Sequence, residues 1–113
     1  MISIEKLKIE NLLTFLPSDN IEIINDSSSD KIKRLSRSIG IESKFVCQPS
    51  QTFTDLAVEA IEVFLKKTGL EQSDFDALIC VTQSPDFIIP GSGTLLQSIA
   101  GFDNTLAAYD INL

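Results

Sequence analysis

The chain has 113 residues, of which 43% are hydrophobic and 22% charged, and its formal net charge is −7. This is the length of one ordinary domain and the composition of a folded protein, not of a disordered one. The negative charge argues against general binding to nucleic acid or to a membrane surface, because both need a cationic footprint. Five of the nine cationic residues nevertheless fall within residues 31–44: Lys31, Lys33, Arg34, Arg37 and Lys44.

The cysteine and histidine content limits the chemistry of the chain. Cys47 and Cys80 form no C-x-x-C pair and there is no histidine, so no zinc site is predicted. A Ser-His-Asp or Cys-His catalytic group cannot be assembled from this chain alone. Residues 1–10 alternate apolar and polar side chains, unlike a signal peptide, and no apolar run approaches the length of a membrane span. We therefore expect a reduced, cytoplasmic protein.

Apolar periodicity predicts the elements of the first 40 residues. Residues 2–16 alternate at first and then become more continuously apolar, which predicts a strand or hairpin ending before Pro17. The polar cluster at residues 25–30 is typical of a helix N-terminus, and Gly40 of a helix stop. The result is a short basic helix, whose apolar stripe is formed by Ile32, Leu35 and Ile39.

A second helix follows from residue 52 onwards. Thr54 is predicted as its N-cap, and apolar residues then repeat at helical spacing. Lys66 and Lys67 suit the negative end of the helix dipole, and Gly69 can adopt the left-handed conformation that ends it.

Two buried strands are predicted in the second half. Residues 77–82 are continuously apolar, which indicates a strand covered on both faces, as in a parallel sheet. Residues 83–93 form a loop, residues 94–101 a short helix stopped by Gly101, and residues 105–113 a second buried strand. Helix, strand, helix and strand in this order predict a right-handed crossover unit, with its functional loops at the carboxyl ends of the strands.

Three features have competing interpretations. The Gly91-Ser92-Gly93 stretch could hold a phosphate, but it lacks the spacing of a known phosphate motif, so close backbone packing is favoured. Cys80 lies within an apolar strand, where burial keeps a thiol inert, and Cys47 has no evident activator. The aspartates on either side of Phe75, Asp74 and Asp76, are interpreted as solvated, with the ring turned inward.

From residue 36 to residue 113 the sequence resembles the N-terminal part of beta-ketoacyl-acyl carrier protein synthase III, a condensing enzyme of thiolase fold. The resemblance implies an α/β chain with a mostly parallel sheet and flanking helices. Residues 1–113 would be an incomplete thiolase-like domain that ends before the helix bearing the nucleophile. The matching pieces are Arg37, Gly40-Ile41, Thr54-Asp55-Leu56-Ala57, residues 74–82, Ser84-Pro85-Asp86, Pro90, Leu96-Gln97 and Tyr109-Asp110-Ile111.

The resemblance also implies a reaction. In the family, a Cys at a helix N-terminus takes an acyl group from a thioester, and a His and an Asn assist decarboxylation of malonyl-carrier protein. The nucleophilic Cys would lie about two residues past Leu113, so no catalytic residue is assigned within the chain. We expect the chain itself to be inactive and the whole enzyme to act in fatty acid or related biosynthesis.

Binding residues are likewise carried over from the resemblance. Arg37, with Arg34 and Lys33 beside it, would lie at the entrance for coenzyme A or carrier protein. The family's adenine-stacking tryptophan is replaced near Lys33, and Glu42 stands where a second arginine is usual, so a carrier-bound thioester is favoured over coenzyme A as acyl donor. No metal or resident cofactor is expected, coenzyme A thioester being a substrate.

Gln83 would line the acyl pocket, and Ile89 would lie near the part of the pocket at the dimer interface. A polar Gln83 favours an acyl group other than acetyl. The strand over residues 107–112 would pair with its mate across a two-fold axis, which predicts a homodimer. Two alternatives stay open: a free-standing module that docks an acidic carrier protein through Lys31 to Arg37, and an unrelated small α/β domain that binds a nucleotide at Gly91 to Gly93.

Overall fold

Helices alternate with strands along the chain in the computed structural model, which describes residues 8–17, 19–22 and 28–112. The order is β1 (Asp19–Glu22), α1 (Asp30–Ile39), β2 (Ser43–Val46), α2 (Phe53–Thr68), a 3-10 turn (Gln72–Asp74), β3 (Ala77–Thr82), α3 (Ser92–Ile99) and β4 (Ala107–Asn112).

The parallel pair of β3 and β4 organises the second half. The two strands run in register from Ala77 opposite Ala107 to Thr82 opposite Asn112. Helix α3 connects them and packs against both strands and against α2. The predicted strand over residues 77–82 and the predicted second strand are thus confirmed, and they pair as a parallel sheet.

Only one face of this sheet is covered by the described residues. Cys80 is buried, whereas Ile79 and Val81 keep 58% and 56% of their surface exposed. On β4, Tyr109 and Ile111 are exposed as well. The predictions that the strand over residues 77–82 is covered on both faces and that the second strand is buried are therefore wrong for the described residues. The reason is that successive side chains of a strand point to opposite faces, and the described helices that contact the sheet leave one of these faces open.

The N-cap of helix α2 lies two residues before the predicted one. Thr52 is the N-cap: its hydroxyl accepts the Asp55 backbone N–H at 3.2 Å, and the Asp55 carboxylate accepts the Thr52 N–H at 2.9 Å. Thr54, predicted as the cap, is instead a buried residue inside the first turn. The predicted end is confirmed, because Gly69 has φ of 72° and its N–H donates to the Leu65 carbonyl.

Helix α1 has the predicted ends but no close partner. Ser29 caps its first turn and Gly40, with φ of 72°, ends it. The Ser36 hydroxyl donates to the Ile41 carbonyl and is buried by that turn. The helix makes no extensive contact with another described element, and its apolar stripe stays exposed.

The strands β1 and β2 form a separate antiparallel pair, from Asp19 opposite Val46 to Glu22 opposite Ser43. Residues 8–17 have no regular structure. The predicted strand or hairpin over residues 2–16 is therefore wrong for residues 8–16, and residues 1–7 lie outside the described residues. An alternating pattern makes a strand only where a neighbouring edge completes the hydrogen-bond ladder, and no described strand pairs with residues 8–16.

The buried apolar residues of the described chain are few: Cys80 on β3, Leu96 on α3 and Phe102, which half-buried rings adjoin. The Phe75 ring lies 5.9 Å from that of Phe102, edge to face, and 6.5 Å from that of Phe64. The inward turn of Phe75 is thus confirmed. Large apolar side chains of several described elements, such as Leu35, Phe45 and Ile99, stay exposed. These elements therefore cover only part of one another's apolar surface.

Candidate functional site

The carboxyl ends of β3 and β4 lie side by side, because the strands are parallel and in register. The strand-end loop, residues 83–91, leaves β3 at this edge of the sheet. Both acyl-pocket residues predicted from the resemblance, Gln83 and Ile89, lie in it, and both are exposed. The two residues share this exposed segment, and their role in an acyl pocket stays a prediction.

Asp86 ties the strand-end loop to the N-terminus of α2. One carboxylate oxygen accepts the Phe53 backbone N–H at 3.1 Å, and the other accepts the Thr54 N–H at 2.8 Å. The first N–H groups of a helix have no partner within the helix, so a carboxylate from elsewhere satisfies them and also meets the positive end of the dipole. Sequence reasoning gave Asp86 no role, although an aspartate just after a strand is a usable signal.

The electrostatics of this tether favour the ionised carboxylate. The neighbouring Thr54 hydroxyl and then the backbone N–H groups of Thr54 and Phe53 lower the pKa of the Asp86 carboxyl below its ordinary value, against the opposing effect of burial. The buried Thr54 Oγ1 forms no hydrogen bond of normal geometry among the described residues. The two backbone hydrogen bonds are therefore the firmer contacts.

Asp110 makes the corresponding contact at α3. Its Oδ1 accepts the Gly93 backbone N–H at 2.9 Å. A Cβ on Gly91 would collide with the Asp110 carboxylate, and one on Gly93 would lie 2.9 Å from the Tyr109 carbonyl oxygen. The glycines therefore serve close backbone packing, the favoured interpretation. The Gly93 N–H, which a bound phosphate would need, already donates to the Asp110 carboxylate. The sequence analysis did not predict this role of Asp110.

The buried thiol of Cys80 belongs to the residue directly opposite Asp110 in the β3–β4 pair. Burial, and secondarily the Asp110 carboxylate, raise the pKa of the thiol above its ordinary value, and the nearby Ser92 hydroxyl opposes the shift. Ser92 Oγ is itself buried and has no hydrogen-bond partner among the described residues. A thiol in this environment is held in its neutral form, as the sequence predicted for Cys80. Cys47 is half-buried.

The predicted binding cations lie apart from the strand-end loop in the chain. Arg34 and Arg37 are exposed on α1, and Lys33 is half-buried there. None of the three forms an ion pair with the residues that the structure describes. Helix α1 has no extensive contact with β3 or α3, so the cations and the loop are not joined into one site by these elements.

The described residues contain neither a cluster for a metal ion nor a helix that could span a membrane. Within residues 8–17, 19–22 and 28–112, no cluster of three or more cysteine or acidic side chains could hold a metal ion. In the same residues no helix combines the length and the apolar character that crossing a membrane requires.

Comparison with curated proteins gives relatives of one kind. A Campylobacter jejuni protein assigned as a 3-oxoacyl-[acyl-carrier-protein] synthase 3 is 26% identical over an alignment of 113 positions, which covers 95% of this chain and 32% of the relative. The beta-ketoacyl-[acyl-carrier-protein] synthase III of Neisseria meningitidis is 27% identical over 108 residues, covering 92% and 33%. The chain thus spans about a third of the length of these relatives. No protein-family model matches it.

Solved structures agree with these relatives. A 3-oxoacyl-(acyl-carrier protein) synthase from Burkholderia xenovorans superposes with a TM-score of 0.73 at 24% identity, covering 88% of this chain and 29% of that one. The 3-oxoacyl-[acyl-carrier-protein] synthase III of Aquifex aeolicus gives 0.68 at 22% identity, covering 88% and 32%. The chain therefore has part of a thiolase-like fold. Its relatives are condensing enzymes named 3-oxoacyl-[acyl-carrier-protein] synthase III, so the predicted resemblance is confirmed.

Proposed function

We propose that the chain is the N-terminal portion of a 3-oxoacyl-[acyl-carrier-protein] synthase III-like enzyme. The whole protein would catalyse acyl transfer followed by decarboxylative Claisen condensation in fatty acid or related biosynthesis. One observation carries this proposal: 95% of the chain aligns with such a relative and 88% superposes on such a structure. Sequence and backbone thus support the same class over nearly the whole chain.

The chemistry follows from the resemblance. A cysteine thiolate attacks the carbonyl of an acyl thioester, forms the acyl-enzyme and releases the donor thiol. Loss of carbon dioxide from malonyl-carrier protein gives a carbanion, which attacks the acyl-enzyme and returns the thiolate. We propose that the Cys, His and Asn of this reaction lie outside the 113 residues. This portion would then supply scaffold and substrate-binding surface and have no condensing activity of its own.

Substrate and partner contacts are proposed for five residues. Gln83 and Ile89 would line the acyl pocket, supported by their shared position in the strand-end loop. Arg34, Arg37 and Lys33 would contact an acidic acyl carrier protein or the phosphates of coenzyme A, supported by the exposure of the two arginines. No resident metal or cofactor belongs to this proposal, and we expect the protein to act in the cytoplasm.

A homodimer is part of the same proposal. The apolar face and free edge of β4 favour pairing with a second copy, because an exposed strand edge is a template for another strand. Sedimentation of the native protein at increasing concentration is expected to give a dimer. A monomer at high concentration would contradict it.

A condensation assay tests the main proposal. The protein expressed from its whole reading frame is incubated with an acyl thioester and malonyl-carrier protein, and the 3-oxoacyl product is measured by mass spectrometry. We expect product from the whole protein and none from residues 1–113 alone. Absence of product from the whole protein with every acyl thioester tested would refute the assignment.

A second candidate function is a stand-alone module that docks carrier protein. The two arginines of α1 are exposed, and so is the apolar stripe of the same helix. This favours the docking module, because a carrier protein would meet charge and apolar surface together. Titration of residues 1–113 with acidic carrier protein tests the idea. Binding should be lost in Arg34→Glu/Arg37→Glu and kept in Lys66→Glu/Lys67→Glu, which makes the same charge change at the end of α2.

A further inference from the structure

We infer that Asp86 is a positioning residue, which holds the strand-end loop against α2 and thereby sets the shape of the acyl pocket that the loop lines. The inference rests on the proposed function for the pocket and adds a residue that the resemblance does not assign. Asp86 is not proposed to touch the substrate. It acts through the backbone of its own loop.

The tether joins distant parts of the chain. The two oxygens of Asp86 accept hydrogen bonds from residues 33 and 32 positions earlier, at 3.1 and 2.8 Å. Both donors are backbone N–H groups of the first turn of α2, so their positions are fixed by the helix. The carboxylate therefore fixes the loop relative to a rigid element and not relative to another loop.

The rest of the loop has little else to hold it. Phe87, Ile88 and Ile89 are 59%, 91% and 87% exposed, so their side chains are barely packed against the described residues. The other hydrogen bond that the strand-end loop makes to β3, from the Ser84 N–H to Thr82 Oγ1 at 3.1 Å, is local. Within the described residues, Asp86 is thus the long-range polar anchor of a loop whose apolar tip makes little packing contact.

Asp86 lies midway between the two proposed pocket residues. Gln83 precedes it by three positions and Ile89 follows it by three. Release of the carboxylate would let both residues move, which would change the width and depth of the pocket. The expected result is a change in the preference among acyl chain lengths, and not a uniform loss of activity.

The first arm of the test measures the loop directly. Amide hydrogen exchange of Phe53 and Thr54, the two donors of the tether, and of loop residues 84 and 86–89 is followed in the native protein and in Asp86→Ala and Asp86→Asn. We expect exchange about tenfold faster in Asp86→Ala and a smaller increase in Asp86→Asn, because asparagine keeps one acceptor oxygen. The control is Asp55→Asn, which removes charge from the same helix end but leaves the tether in place. Unchanged exchange in both Asp86 variants would overturn the inference.

The second arm measures selection. The ratio of kcat/KM for octanoyl to that for acetyl thioester is determined for the same variants of the whole enzyme. We expect this ratio to change at least threefold in Asp86→Ala and to stay constant in Asp55→Asn, whereas a merely structural role would lower both rates together. A constant ratio with faster loop exchange would also overturn the inference. If the unmodified enzyme forms no product but the exchange result holds, the proposed function fails and the tether stands.

Discussion

The Asp110 carboxylate accepts the Gly93 backbone N–H at 2.9 Å, which ties the carboxyl end of β4 to the first turn of α3. The contact spans 17 residues and joins a strand to the helix that precedes it. It requires the helix to approach the strand closely enough that no side chain fits between them at Gly93. This relationship leads to the first prediction.

Gly93→Ala is expected to destabilise the protein, although alanine is normally the better helix residue by about 1 kcal/mol. The new Cβ would meet the carbonyl oxygen and carbon of Tyr109 at 2.9 and 3.2 Å, and backbone atoms there cannot give way without shifting β4. We expect a loss of about 1–3 kcal/mol, as for other overpacked positions, measured by urea unfolding. Thr94→Ala, at the exposed neighbouring position, is the control and should cost little. A stabilised Gly93→Ala would contradict this close packing of α3 on β4.

Gln97→Leu is expected to lower the free energy of unfolding by about 1–3 kcal/mol. The Gln97 side chain is buried, and its amide donates to the Asp103 carbonyl at 2.7 Å and to the Leu106 carbonyl at 2.9 Å. Leucine has a similar size but no donor, so the Leu106 carbonyl would lose the amide donor, and the Asp103 carbonyl would keep only the Leu106 N–H at 3.0 Å.

The control for this change is Ser98→Ala on the exposed side of the same helix. Thermal unfolding of the two variants should differ clearly, with the control close to the unmodified protein. If Gln97→Leu were as stable as the unmodified chain, the prediction would be contradicted, because water would then hydrate the two carbonyls as well as the Gln97 amide does.

Two threonines at the start of α2 are expected to respond differently. Thr52→Ala removes the N-cap hydroxyl and should cost about 1 kcal/mol. Thr54→Val removes a buried hydroxyl that lies near Asp86 but makes no hydrogen bond of normal geometry to the described residues, so it should cost less. Denaturant midpoints measured side by side give the order directly. A larger loss of stability in Thr54→Val than in Thr52→Ala would indicate that Thr54 is the cap.

Stability is expected to fall in acid through carboxylates that accept backbone N–H groups. Backbone and hydroxyl hydrogen bonds from Thr52 lower the pKa of Asp55, and the Thr54 hydroxyl and backbone N–H groups lower that of Asp86. A group whose pKa is lower in the folded state binds protons more weakly there. Its contribution is complete above the ordinary pKa of 3.8 and is lost as the pH falls from that value through the folded one.

Unfolding free energies between about pH 6 and about pH 2.5 test this dependence. The slope in the acid part of the range should be smaller in Asp86→Asn than in the unmodified protein. Asp76→Asn is the matched control, because Asp76 is exposed and accepts no hydrogen bond from the described residues. Identical slopes in all three proteins would mean that the Asp86 tether does not contribute in solution.

Several local features could be predicted from the sequence because their cause lies within a few residues. The bounds of β3 follow from a continuous apolar run between Asp76 and a polar turn, and the end of α2 follows from Gly69, which tolerates positive φ. The predicted start of α2 is wrong by two residues. Thr52 and Thr54 are both plausible caps in a linear sequence, and only the geometry of the chain entering the helix shows which hydroxyl faces the free N–H groups.

The sequence by itself determined the order of helices and strands from α2 to β4, the neutral buried thiol of Cys80 and the resemblance to a condensing enzyme, because these depend on local pattern and on residue order. Only the tertiary structure decided the roles of Asp86 and Asp110, since each carboxylate meets its N–H donors across a wide separation along the chain. It also decided which face of β3 is covered, because that depends on which helices reach the sheet. An apolar strand indicates that its faces avoid water, but it does not identify what covers them.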